Sequence, residues 1–183
     1  MDLIIVGAGG HGRCCLDIAR EIYDDIVFLD DGLVGKTIND CKVIGGMKDI
    51  QVLREKYSNI FIAIGNNKLR EELITQAQEI GFNIVNLISN KSIISNYAKI
   101  GQGCVIFPNV VIEPNSTIED GCVICANSVI NHDAFIADYS LVNSSSVIRP
   151  TALLNKYSHI GCRCLIGKEI EEASSIEDGK VVI

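Results

Sequence analysis

The sequence lacks a basic surplus: 16 Lys and Arg stand against 23 Asp and Glu, for a net charge of −7. That balance argues against a nucleic-acid partner, whose phosphates call for a cationic face. No apolar run approaches the ~20 residues of a membrane-spanning helix. The amino terminus has no basic-then-apolar leader, so a cytoplasmic location is expected. Histidine and proline are scarce, at three each. Cysteine is not scarce, but it lacks metal-binding spacing. Cys162-Arg-Cys164 misses the two-residue gap of a zinc knuckle, and Cys14 and Cys15 are adjacent on one predicted helix. Reduced structural thiols and no metal are expected.

The second half carries a repeat. Large aliphatics recur every six residues from Ile88 through Ile94, Ile100 and onward to Ile166 in one register. Four residues after each comes a mostly small residue, such as Cys104, Ser116, Cys122, Ser128, Ser140 and Cys164. A period of six does not suit a helix, which needs apolar residues at three- and four-residue spacings. It predicts short strands joined by tight corners in a solenoid, with roughly 18 residues closing a triangular coil. Pro108, Pro114 and Pro150 each fall two residues past a large aliphatic, at a corner where no ladder N–H is needed.

His132 occupies the same corner position as Pro114 and Pro150, one coil to either side, and Asp133 follows it. A corner side chain points outward, so His132 is not a core residue. It is either a working histidine or an inconsequential surface one. His159 reads as surface, and the repeat holds two histidines where a zinc-dependent β-helix of carbonic-anhydrase type needs three.

The first half reads differently. Asp2 to Val6 is a buried strand, Gly7-Ala-Gly-Gly-His-Gly12 a glycine-rich turn, and a helical pattern runs through Cys15, Ile18, Ala19 and Ile22. The turn has GxGxxG spacing without the Lys-Ser/Thr of a Walker loop; it suits either a phosphate or a tight βα connection. A strand from Ile26 to Leu29 ends in Asp30-Asp31, placed for a ribose hydroxyl or base edge, or simply solvated. Met47 to Lys56 is expected to be helical. Ile60 to Ile64 is a strand leading into Gly65-Asn66-Asn67, and a helix through Leu69, Leu73, Ile74 and Ala77 ends at Gly81. Asn83 to Asn86 is a last short strand. The two strand ends should flank one crevice at the carboxyl edge of a parallel sheet. The expected organisation is a Rossmann-like α/β half-domain over residues 1–86 and a parallel β-helix over 87–183.

The order of Gly7 to Gly12, Phe28-Leu-Asp-Asp31, Phe61 to Asn67, the hexads and Ile130-Asn-His-Asp133 resembles a family of bacterial sugar acetyltransferases. It includes nucleotide-amino-sugar N-acetyltransferases and sialic-acid O-acetyltransferases. The resemblance implies a left-handed β-helix and a homotrimer with active sites between neighbouring subunits. It places the phosphate turn on Gly9, Gly10, His11 and Gly12, nucleotide-recognising carboxylates on Asp30 and Asp31, and a second loop on Gly65 and Asn66. It makes His132 the catalytic base, with Asp133 as its acidic neighbour and acetyl-CoA as co-substrate. The implied reaction is N-acetylation of a UDP- or dTDP-linked 4-amino-sugar in surface-glycan biosynthesis. Alternatives are sugar O-acetylation, or a non-catalytic nucleotide-sugar-binding subunit with an eroded coenzyme A site. The donor side departs from the family. Leu141 stands where a second histidine is usual, Pro150 offers no amide, and the hexad register jumps by four between Ile166 and Ile170. The chain stops at Ile183, ahead of the family's usual last turn and basic tail, and a different acyl donor is a further possibility.

Overall fold

The computed structural model describes all 183 residues, which form two units, Met1–Leu87 and Ile88–Ile183; the boundary expected from sequence lies one residue earlier.

In the first unit β1 (Asp2–Val6), β2 (Asp25–Leu29) and β5 (Asn59–Ile62) lie parallel at the centre of a six-stranded sheet. Their apolar runs are buried: Leu3, Ile4, Ile5, Phe28, Leu29 and Ile60 have no exposed surface. Continuous aliphatic strands of this kind belong in a parallel sheet covered on both faces. Helix α1 (Gly10–Ala19) follows β1, and α3 (Asn67–Ile80) follows β5. The ends of α3 follow from single residues. Asn66 accepts the Leu69 N–H through its side chain at 3.0 Å as the N-cap. Gly81 closes the other end in the left-handed conformation, φ 97°.

Two local expectations need correction. Helix α1 stops at Ala19 instead of reaching Ile22, which is 39% exposed; the chain turns there to bring Asp24 and Asp25 N–H groups to the Met1 carbonyl. Met47 to Lys56 is a three-residue 3-10 turn followed by α2 (Ile50–Leu53), since only Ile50 is buried along it and Val52 is 70% exposed. The segment ahead of it holds two more strands, β3 (Thr37–Ile38) and β4 (Cys41–Gly45), paired antiparallel. They are joined by Asn39-Asp40 with φ of 46° and 59°, a primed hairpin turn. The last strand, β6, covers Asn83–Ile84.

The second unit is a parallel β-helix of two-residue strands. Strands pair 18 residues apart as far as Leu165–Ile166, as Val111–Ile112 with Val129–Ile130 and Val129–Ile130 with Val147–Ile148. The last two pairs are 16 apart, His159–Ile160 with Ser175–Ile176 and Leu165–Ile166 with Val181–Val182. The second residue of each strand points inward; Ile106, Ile124, Ile130, Ile136, Val142, Ile148, Leu154, Ile160 and Ile166 are fully buried. The small positions do more than avoid a clash. Cys104, Cys122, Ser128, Ser140 and Ser146 each donate to the backbone carbonyl 15 residues ahead, on the next coil. The third corner residue adopts left-handed backbone from Gly103 through Arg163, among them Asn109, Asn115, Asn127 and Asp133. Glycine, Asn and Asp meet that demand at least cost. After Ile166 the register resumes at Ile170, which forms a single bridge with Leu154 in place of a full strand pair.

Candidate functional site

In the first unit, adjacency of β1 and β5 brings the loops after them side by side at the sheet's carboxyl edge. A cavity of about 280 Å³ opens there, lined by Val6, Gly7, Leu29, Asp30, Asp31, Gly32, Met47, Ile64, Leu69 and Leu73. Asp30 and Asp31 thus share this cavity with Gly7 and Ile64 at the two strand ends, whereas Gly9, Gly10, His11, Gly12, Gly65 and Asn66 are not among its lining residues. Nothing in the sequence marks Met47 as a lining residue, and Leu69 and Leu73 read there as helix positions only.

The glycines divide by what surrounds them. A Cβ on Gly12 would stand 1.9 Å from the Gly7 carbonyl oxygen, and Gly7 has φ +95°, so both serve the close packing of helix start on strand. A methyl group on Gly9 or Gly65 would meet nothing within 4 Å, and one on Gly10 only the Arg13 guanidinium at 4.0 Å. Those three leave backbone open to a ligand.

The carboxylates also divide. Asp30 accepts the Ala8 N–H at 3.0 Å with one oxygen and the Gly32 N–H at 3.0 Å with the other, tying the glycine turn to the end of β2. Asp31 is exposed and accepts the Met47 N–H at 2.9 Å through Oδ1. Asn66 faces α3 as its cap. Beneath the second loop, fully buried Arg70 donates to the Ile64 carbonyl at 2.8 Å, the Gly65 carbonyl at 3.2 Å and Asn67 Oδ1 at 2.9 Å. Burial, aided by the Arg70 charge, pushes His11 down to about 4. It is therefore neutral near pH 7, with Cys15 Sγ 3.9 Å from its Nε2.

In the second unit, His132 and Asp133 form the corner after Val129–Ile130. Both are about half exposed, with side-chain exposures of 54% and 48%, and Nδ1 of His132 lies 2.7 Å from Oδ2 of Asp133. That hydrogen bond, with support from the Asn115 side chain and the His132 charge, holds the Asp133 carboxyl below the usual carboxylate range. Donation from Nδ1 to Asp133 leaves Nε2 as the acceptor, the arrangement a base requires. The His132 backbone N–H donates to Glu113 Oε2 at 2.8 Å. Glu113 carries no sequence signal, because its partner is a main-chain group 19 residues ahead. His159 is exposed, pairs in the ladder with Leu141, and has Asn143 Nδ2 2.9 Å from its Nε2.

Two families match the chain: the PglD N-terminal domain over residues 2–77 and the GMPPB C-terminal domain over residues 88–182. A curated relative, GDP-perosamine N-acetyltransferase of Escherichia coli O157:H7, is 30% identical over 122 residues, which are 62% of this chain and 54% of the relative. The chain thus spans about half the length of that relative. The solved acetyltransferase domain of PglB from Neisseria gonorrhoeae FA1090, in complex with acetyl coenzyme A, superposes with a TM-score of 0.84 at 26% identity. The match covers 96% of this chain and 95% of that one. WeeI from Acinetobacter baumannii AYE matches with a TM-score of 0.91 over 100% of this chain and 92% of its own, at 23% identity, a likeness of fold. The architecture is a Rossmann-like domain followed by a left-handed parallel β-helix.

Proposed function

We infer the reaction from one premise: the chain belongs to the bacterial nucleotide-amino-sugar N-acetyltransferase family, with a PglD N-terminal domain ahead of a GMPPB-type β-helix. It transfers an acetyl group from acetyl-CoA to the amine of a nucleotide-linked sugar, in surface-glycan biosynthesis. The observation that carries this reading is the 2.7 Å contact between His132 Nδ1 and Asp133 Oδ2 on an exposed corner.

The chemistry follows from that pair. The sugar amine attacks the thioester carbonyl carbon, and its proton passes to Nε2 of His132. Asp133 stabilises the resulting imidazolium and keeps its ring oriented. The tetrahedral intermediate collapses with cleavage of the C–S bond, and the departing coenzyme A sulfur takes the proton back from Nε2. The products are an amide and free coenzyme A.

The first unit is the nucleotide holder in this reading. Open backbone at Gly9, Gly10 and Gly65 and the amino-terminal end of α1 suit a diphosphate. Neutral His11 and the buried Arg70 support that loop pair, Gly12 gives α1 its close seat, Asn66 caps α3, and Asp30 fixes the turn. Asp31 is the carboxylate left for a ribose or base edge. UDP- and dTDP-linked sugars follow from the sequence resemblance, and the name of the curated relative adds a GDP-linked one.

A row of outward aliphatics, Ile93, Val111, Val129, Val147, Leu165 and Val181, runs down one face of the β-helix. Ile93 is 68% and Val181 63% exposed. The His132 corner borders this face, so copies of the chain packed there as a homotrimer would adjoin the base. Light scattering should then give three times the 19.9 kDa of one chain; the mass of one chain would defeat the trimer.

The test of the reaction is coenzyme A thiol release over UDP-, dTDP- and GDP-linked amino-sugars, with His132→Ala alongside. Turnover should fall by about 10²-fold or more in the variant, with nucleotide binding retained by calorimetry. Unchanged turnover removes His132 from the mechanism. Nucleotide binding without coenzyme A binding favours a non-catalytic subunit, for which Leu141 and Pro150 are the relevant residues, and release only with hydroxyl sugars favours O-acetylation.

A further inference from the structure

At several corners the residue two past the large aliphatic has a backbone N–H that is taken up by a carboxylate. Gln102 donates to Asp120 Oδ1 at 2.8 Å, Asp120 to Asp138 Oδ1 at 3.1 Å, and Cys162 to Asp178 Oδ1 at 2.7 Å. In each case the acceptor stands at the same corner position of the following coil. His132 is in a column where this device fails, because the following coil presents Pro150 and the preceding one Pro114. Its N–H turns the other way, to Glu113 Oε2 at 2.8 Å on the preceding coil. The same preceding corner supplies Asn115, which adds to the lowering of the Asp133 carboxyl. The corner of the preceding coil thus holds the main chain of the pair at His132. The Glu113 carbonyl in turn accepts the Ser116 hydroxyl at 2.7 Å, which closes that corner.

We propose that Glu113 is a positioning residue for the base. It holds the main chain of His132 and thereby sets where Nε2 stands. This rests on the reading of His132 as the base. A misplacement of about 1 Å at a reacting group can cost ~10²-fold in rate, so a fixed main chain at this corner has a kinetic consequence that the other capped corners do not share. Pro150 stands where the other corners place an accepting Asp on the following coil, and Glu113 takes that part for the His132 N–H.

The experiment compares wild type, Glu113→Ala, Glu113→Gln and Asp178→Ala. The last removes a like cap, on Cys162, from a corner without a histidine–carboxylate pair. Glu113→Ala should lower kcat tenfold or more with little change in KM for the nucleotide-sugar. Glu113→Gln, whose amide oxygen accepts the same N–H, should stay within about threefold of wild type. Asp178→Ala should lower the melting temperature as much as Glu113→Ala without the loss in kcat. Wild-type kcat in Glu113→Ala overturns the proposal, as does a Gln variant as slow as the Ala one. Amide exchange at His132, read by NMR, separates positioning from chemistry: it should speed up tenfold or more in Glu113→Ala and not in Glu113→Gln. Unaltered exchange overturns the proposal even if His132 proves essential. Full turnover in His132→Ala overturns the base reading while the exchange result still reports on Glu113.

Discussion

Nδ1 of His132 reaches Oδ2 of Asp133 at 2.7 Å because Asp133 sits in left-handed backbone, φ 60°. On an extended strand, neighbouring side chains point to opposite faces. The corner reverses that divergence and sets two consecutive side chains on one side. The corner itself brings imidazole and carboxylate within reach, and Glu113 on the preceding coil holds the His132 main chain.

Replacing Asp133 by Asn should preserve this corner, since Asn also tolerates left-handed backbone. It removes the charge that stabilises the imidazolium. We expect kcat to fall roughly tenfold or more, with a melting curve close to wild type. Steady-state thiol release and calorimetry settle it, and undiminished kcat would remove Asp133 from the chemistry.

Gly12→Ala and Gly9→Ala should behave oppositely. The Gly12 methyl would press on a backbone oxygen at 1.9 Å, which cannot swing aside. A stability loss of about 2 kcal/mol or more is expected in denaturant unfolding. The Gly9 methyl meets no protein atom within 4 Å, so stability should hold while nucleoside-diphosphate affinity drops several-fold. Equal affinity in Gly9→Ala would place the phosphates elsewhere.

His11 makes acid stability testable. Burial first, then the Arg70 charge, lowers its folded value from 6.5 to about 4. Above pH 6.5 it is neutral folded and unfolded and contributes no pH dependence. Between pH 6.5 and 4 the unfolded chain takes up a proton that the folded chain refuses, so stability declines as pH falls. The decline from this one group is on the order of 3 kcal/mol at most. His11→Asn should abolish that share, which shows as a gap between the two stability curves that narrows from pH 7 to pH 4. Parallel curves would mean His11 titrates normally.

Ser146 bridges coils twice, donating to the Gly161 carbonyl at 2.7 Å and accepting the Cys164 N–H at 3.0 Å. Ser146→Ala leaves both buried groups short of a partner and should cost about 1–3 kcal/mol. Ser146→Cys, a swap the repeat itself makes at Cys122 and Cys164, should cost less. Equal losses in the two variants, read as denaturant midpoints, would show that volume alone matters there.

Much of this is legible in the residues, for identifiable reasons. A strict period leaves few alternatives, so the hexads locate every strand of the β-helix to Ile166 and put His132 on an outward corner. Aliphatic runs ending in glycine or acid locate β1, β2 and β5. Side-chain to main-chain contacts are not legible. Serine and cysteine at the inward position read only as small, although both donate to the next coil, and Glu113 looks like any solvated acid. The β3–β4 hairpin escapes a reading by pattern because its signal is the Asn39-Asp40 pair and β3 has only two residues. A helix from Met47 to Lys56 is too generous because apolar spacing there is not matched by burial.

In a stacked array each coil is held chiefly by its neighbours, so melting begins at exposed ends and moves inward. His132 lies near the midpoint of the run from Ile88 to Val182. The coil that carries the pair is therefore among the last to fray, and loosening at either end of the solenoid leaves its geometry standing.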